Sequence, residues 1–180
     1  EHSVTCASID NPPSLDEFDK IVLGASIRHG KHNPKVYHFI SENIKVLQEK
    51  ASSFFAVSLV ARKPAKNTPE TNPYMQAFLA KSPWHPKLLA VFGGNLDYQG
   101  YNALDRNIIR FIMWITKGPT APDTKVEYTD WDKVKHYAHE VAALRADGYG
   151  VRLFSGDRAD RVAQVAGRIG IPDRDAVGEL

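Results

Sequence analysis

An open parallel α/β sheet covered on both faces is the fold class this sequence predicts, on three observations. Three short apolar runs, Ile21–Ala25 (IVLGA), Phe54–Val60 (FFAVSLV) and Leu88–Phe92 (LLAVF), lack polar/apolar alternation, as strands buried on both faces do. Helical patterns separate them, and strands alternating with helices imply parallel pairing. The length also fits: a chain of 180 residues buries roughly 70% of its unfolded surface and needs no staples.

Taken in order, Ser3–Ala7 reads as a further strand, closed by Asn11, Pro12 and Pro13. Between Pro34 and Lys50, Val36, Phe39, Ile40, Ile44 and Leu47 recur at helical spacing. A second helix spans Pro73 to Lys81, with Asn72 as cap and Pro73 in the first turn. A Gly/Asn/Tyr-rich loop, Gly93 to Tyr101, leads to a helix from about Asn102 to Lys117. Leu104, Ile108, Ile109, Phe111, Ile112, Met113, Trp114 and Ile115 cover most of its circumference, with Arg106, Arg110 and Lys117 between them. Two readings stand for it: a helix buried on the sheet, or an interfacial helix with Trp114 and its basic neighbours at lipid headgroup level. Val126–Tyr128 is a short strand. Thr129, Asp130 and Asp132 then open a helix with core stripe Val134, Ala138, Val141 and Ala142, ended by Gly148. Val151–Ser155 as strand and Arg158–Ile169 as helix repeat the unit once more.

Composition narrows the function classes. Hydrophobic residues at 43% and charged residues at 24% exclude wholesale disorder, collagen and coiled coil. A net charge of +2 supports no nucleic-acid partner. The single cysteine, Cys6, excludes an internal disulfide and a cysteine-only zinc site, and a reducing, cytoplasmic compartment is the default. His29 with His32, and His136 with His139 and Glu140, have a spacing some metal sites use. Solvated histidines are far commoner, so no metal is expected. No apolar run approaches the roughly 20 residues that span a bilayer. Nucleophile-elbow, phosphate-loop and His-Glu-x-x-His motifs are all missing.

In an open parallel sheet, ligands bind beyond the carboxyl ends of the strands. Those ends carry Ser26, Ile27, Arg28, His29 and Gly30; then Ser58, Leu59, Val60, Ala61 and Arg62, running through Lys63 into a Pro-rich basic loop; then Gly93, Gly94, Asn95, Leu96, Asp97 and Tyr98.

Ile21–Gly30 (IVLGASIRHG), Ser58–Lys63 (SLVARK) with the following Thr68-Pro69-Glu70-Thr71-Asn72, and Tyr128–Trp131 (YTDW) resemble the menaquinone-dependent protoporphyrinogen IX dehydrogenase family of bacterial haem synthesis. The resemblance runs from about Asp16 to Leu144 in one order. It implies a flavodoxin-like three-layer sandwich that binds FMN, oxidises protoporphyrinogen IX and passes electrons to menaquinone or another quinone. The expected location is the cytoplasm, with peripheral contact on the inner face of the cell membrane under the interfacial reading of Asn102–Lys117. Under that reading residues 26–30 and 93–98 wrap the isoalloxazine ring, Tyr98 stacks on it, and Ser58 to Arg62 line the ligand edge. Arg62 and Lys63 meet the cofactor phosphate, the substrate propionates, or water. A flavin dehydrogenation demands no general base, so no catalytic residue is singled out.

Both ends depart from the family. The family opens with a strand and a Ser/Thr- and Gly-containing loop that cradles the FMN phosphate at a helix N-terminus. This chain begins at what would be the second strand. Residues 1–144 therefore read as a flavodoxin-like domain starting there, and 145–180 as an appended strand–loop–helix. The appendage resembles part of the phosphorylation domain of heavy-metal P-type ATPases, with Ser155-Gly156-Asp157 matching its Ser/Thr-Gly-Asp turn. The phosphate-accepting Asp-Lys-Thr-Gly motif of those pumps does not occur, which excludes pump activity. The appendage is either the junction to an unrelated piece, or it fills the empty first-strand slot and completes the same sheet. In the second case Ser155, Gly156 and Arg158 face the phosphate while Asp157 and Asp160 repel it, which weakens FMN binding. Two further readings remain: a generic FMN electron carrier, against which the charge of +2 argues, and a cofactor-free or truncated scaffold without activity.

Overall fold

The computed structural model describes residues 3–144 and, as backbone, 151–155. In chain order the elements are β1 (Val4–Ala7), β2 (Lys20–Arg28), β3 (Lys31–His32), α1 (Pro34–Glu42), α2 (Ile44–Glu49), β4 (Ala51–Val57), α3 (Pro73–Lys81), β5 (Leu88–Phe92), β6 (Asn95–Asp97), α4 (Ala103–Ile115), β7 (Lys125–Glu127), α5 (Trp131–Ala143) and β8 (Val151–Ser155). The main sheet has the order β1-β8-β2-β4-β5 with every neighbouring pair parallel, and β3 folds back antiparallel on β2. β6 and β7 form a separate antiparallel ribbon. This is the α/β class that the sequence predicts.

Side chains alternate across the pleat, and both faces of the sheet are covered. Ile21, Leu23 and Ala25 of β2 pack in one cluster with Val36, Phe39 and Ile40 of α1, Leu47 of α2, and Met75 and Phe78 of α3. Val22 packs on the opposite side with Val134, Tyr137 and Val141 of α5. Burying each such large side chain contributes about 1.5–3 kcal/mol, which is why the strands read as unbroken apolar runs. Phe54 and Phe78 stack with centroids 4.0 Å apart at the centre of the first layer. In the second, the Tyr137 hydroxyl donates to Ser53 Oγ at 2.9 Å, and burial raises its pKa above the ordinary tyrosine value.

Several boundaries differ from the sequence reading, each for a local reason. The second apolar strand is Ala51–Val57 rather than Phe54–Val60. Ser52 and Ser53 enter the buried strand because Ser52 Oγ donates to Leu47 O and Ser53 Oγ accepts from Tyr137. Ser58 then caps a 3-10 turn at Leu59–Arg62, accepting from Val60 N. The helix expected over Pro34–Lys50 breaks at Asn43, whose Nδ2 donates to Phe39 O and competes with the helical ladder. Asp130 alone caps α5, taking Asp132 N and Lys133 N, and Tyr137 replaces the exposed Ala138 in its buried stripe. Gly148 and Arg158–Ile169 lie outside the described residues.

His32 sits inside an aromatic cage, its ring 5.6 Å from Phe54, 5.6 Å from Phe78 and 6.5 Å from Tyr37, all edge-on. Burial lowers its pKa from 6.5 to about 4, a shift that the Tyr74 backbone offsets only in part. The fold therefore holds the imidazole neutral, while the unfolded chain protonates it below pH 6.5. Its share of stability is complete above that pH and is lost as the pH falls toward 4. At pH 5 the penalty is roughly 2 kcal/mol. The variant His32→Phe, which keeps an aromatic ring in the cage, is expected to flatten this acid limb in urea titrations at pH 5 and 7.5. An unchanged limb would remove His32 as its cause.

Candidate functional site

β2, β4 and β5 lie side by side with Ser26 level with Val57 and Val57 level with Phe92. Parallel strands deliver their following loops to one rim. Ser58 N donates to Phe92 O at 2.9 Å and ties two of these loops together. Arg28, Ser58 and Asn95 thus leave the sheet at the same edge.

The first loop is tighter than the sequence reading. Ile27 pairs with His32 and Arg28 with Lys31, leaving His29 and Gly30 as a two-residue turn. Their φ values of 49° and 77° are left-handed, the conformation that two-residue hairpin turns with matching twist require and glycine adopts freely. At its tip His29 Nε2 meets Asp105 Oδ1 in the first turn of α4 at 2.9 Å. This contact across the rim was not anticipated.

In the second loop Ala61 is buried, and Leu59 and Val60 are half-buried. Arg62 Nη1 donates to Leu59 O at 2.9 Å and Nη2 to Thr116 Oγ1 at 2.7 Å, so its guanidinium braces the turn against the end of α4. Arg62 remains half-exposed. Lys63 is half-buried beside it.

The third loop contains structure of its own. Asn95, Leu96 and Asp97 pair with Glu127, Val126 and Lys125. Leu96 and Tyr98 are fully buried with Met113 under α4, and the Tyr98 hydroxyl donates to Pro119 O at 2.8 Å. Tyr98 is therefore a core residue of this outer layer and has no exposed ring face to stack on a ligand. The expected loop hid a strand whose partner, β7, lies 30 residues on, so no local signal could pair them. Asp97 receives Gln99 N and an ion pair from Lys125 at 3.3 Å. The groups left at the rim are Gly93, Gly94 and Asn95. Asn95 Oδ1 is buried with no hydrogen-bond partner.

β8 reaches the same edge: Ser155 is level with Gly24, on the strand next to β2. Gly156 and Arg158 lie outside the described residues.

α4 lies on the β6–β7 ribbon rather than on the main sheet. Met113 is its buried residue, with Ile109 half-buried beside it, whereas Leu104, Phe111, Ile112, Trp114 and Ile115 are 45–70% exposed. The buried-helix reading is thereby corrected: the ribbon is too narrow to cover a helix that is apolar on most sides. No helix among the described residues is long and apolar enough to cross a membrane.

Chemically, the rim offers an unsatisfied buried acceptor and close-packed glycine backbone, flanked by a hairpin with polar tips. These fit the edge of a flat heterocycle that presents N–H and C=O groups, such as a flavin. A family model described as a flavodoxin domain matches residues 1–123. The protoporphyrinogen IX dehydrogenase (quinone) of Escherichia coli strain K12 is 41% identical over 132 residues, 73% of each chain. The protein of that name from Leishmania major is 40% identical over 148 residues, covering 80% of this chain and 64% of its own. No solved structure matches at a significant level.

Proposed function

The chain belongs to the flavodoxin domain family, and from that premise we propose that it is an FMN-dependent enzyme oxidising protoporphyrinogen IX to protoporphyrin IX, with menaquinone or a related quinone as electron acceptor. The observation that carries the reading is the convergence of Ser26–Gly30, Ser58 and Gly93–Asn95 on one rim, in a chain 41% identical to a dehydrogenase of that substrate. FMN, when bound, supplies the two-electron acceptor chemistry. The chain's own residues hold and orient it. Asn95 Oδ1 would accept a hydrogen bond from the flavin, with the Gly93 and Gly94 backbone and the hairpin at Arg28–Gly30 as the other groups that would hold it.

We read residues 1–144 as the flavodoxin-like domain entered at its second strand, and 145–180 as the unit that completes the sheet. The position of β8 between β1 and β2 supports this. The residues proposed to meet the cofactor phosphate are Ser155, at the end of β8, with Gly156 and Arg158 after it in sequence. The test is reconstitution with FMN followed by turnover of protoporphyrinogen with a quinone, read by porphyrin fluorescence. Quinone-dependent porphyrin formation above the autoxidation rate is the expected result. A colourless protein that refuses FMN would instead support the cofactor-free scaffold.

The apolar face of α4 is read as the peripheral contact with the inner face of the cell membrane, where the quinone resides. Phe111 and Trp114 stand exposed side by side, ring centroids 6.1 Å apart, with Lys117 following. The double variant Phe111→Ser/Trp114→Ser is expected to lower co-sedimentation with anionic vesicles by at least about tenfold. Equal sedimentation of variant and wild type would remove α4 from the contact.

A further inference from the structure

Between the β2–β3 hairpin and the start of α1 lies a cleft of about 270 Å³, lined by Arg28, His29, Lys31, His32 and Asn33 among others. No carboxylate is among its described lining residues. α1 points its N-terminus here, but Asn33 already takes Lys35 N and Val36 N, and Pro34 has no N–H. The helix therefore contributes its positive end to the local field rather than free donors. The direct donor is His32. Its residue is 4% exposed, and neither buried ring nitrogen reaches a partner in good hydrogen-bond geometry, the Tyr74 backbone interacting with the ring only weakly. A neutral imidazole keeps one N–H, and a buried donor left unsatisfied is costly. An oxygen ligand in the cleft would relieve it.

We propose that this cleft is an oxyanion subsite that takes a propionate carboxylate of the tetrapyrrole substrate, with the His32 N–H at its floor and Arg28 and Lys31 at its mouth. This rests on the functional reading above and adds to it the group by which the substrate is oriented. The cleft is too small for a macrocycle and large enough for one propionate arm. Ser26 lines it and also belongs to the rim assigned to the flavin, so an arm in the cleft leaves its ring over that rim.

Protoporphyrin IX and its dimethyl ester, which lacks both carboxylates, separate charge recognition from ring binding. Affinities are read by tryptophan fluorescence quenching on the full FMN-loaded chain in mild detergent. Wild type is expected to prefer the diacid by about tenfold, the worth of one charge-assisted contact. Lys31→Gln, at an exposed position, and His32→Phe should each erode that preference and leave the ester affinity unchanged. Equal binding of diacid and ester, or a preference that survives both substitutions, would overturn the subsite while leaving the functional reading intact. If inorganic phosphate binds the cleft but the diacid gains nothing over the ester, the cleft belongs to a phosphate and the proposal also fails. Absence of binding by either porphyrin would overturn the functional reading along with the subsite.

Discussion

Lys20→Met is expected to destabilise the chain by about 3 kcal/mol, read as a lower urea midpoint. Lys20 opens β2 and is 1% exposed. Its Nζ donates to Ala142 O at 2.6 Å and to Val141 O at 3.3 Å, in the last turn of α5. Those carbonyls stand in the last described turn and carry the negative end of the helix dipole, which a cation stabilises. Methionine reproduces the length and apolar stem, so the change isolates the ammonium. Without it, the end of α5 keeps only the apolar packing of Val141 on the sheet. Lys20→Arg, which retains the charge, should lose less than half as much. A Met variant with the wild-type midpoint would show that the contact contributes nothing.

Gly93→Ala carries the largest effect expected at the candidate site. A Cβ there would fall on the Tyr128 carbonyl oxygen and lie 2.8 Å from both its carbonyl carbon and its Cβ. The obstacle is mainly backbone, and Tyr128 N is itself bonded to Gly94 O at 2.9 Å. The strain can be relieved only by parting the β6–β7 ribbon from the end of β5. We expect a loss of about 3 kcal/mol in stability and at least a tenfold weaker FMN affinity by fluorescence titration. Gly100→Ala is the control, since its Cβ would meet nothing nearer than Asp97 Cγ at 3.9 Å. Similar FMN affinities for the two variants would detach Gly93 from the site.

How far the site was legible follows from the range of each interaction. Caps were readable because their partners lie within three residues: Asn72 Oδ1 accepts from Tyr74 N and Met75 N, and Asp130 from Asp132 N and Lys133 N. The rim was readable as well, because polar, glycine-bearing segments followed runs that only a doubly covered strand explains. Roles within the rim were not. Tyr98 looked like a stacking ring and is a core residue, because α4 and Pro119 close over it. Arg62 read as meeting a phosphate, a propionate or water, and the brace its guanidinium makes to Thr116, 54 residues away, had no local signal. His32, noted only for its spacing from His29, becomes the floor of a cleft through contact with Phe54 and Phe78.

The main strands and helices, their caps and the two buried faces of β2 were determined by the sequence alone, because they depend on dihedral preference and side-chain period, properties of a few adjacent residues; β3, β6 and the break at Asn43 were not. Which strands became neighbours was a tertiary decision. Nothing in Val151–Ser155 specifies a place between β1 and β2; that follows from matching its backbone to two strands more than 120 residues earlier. The exposure of α4 was decided in the same way. Its apolar residues are a local fact, but whether they are covered depends on the width of the ribbon that folding places beneath them.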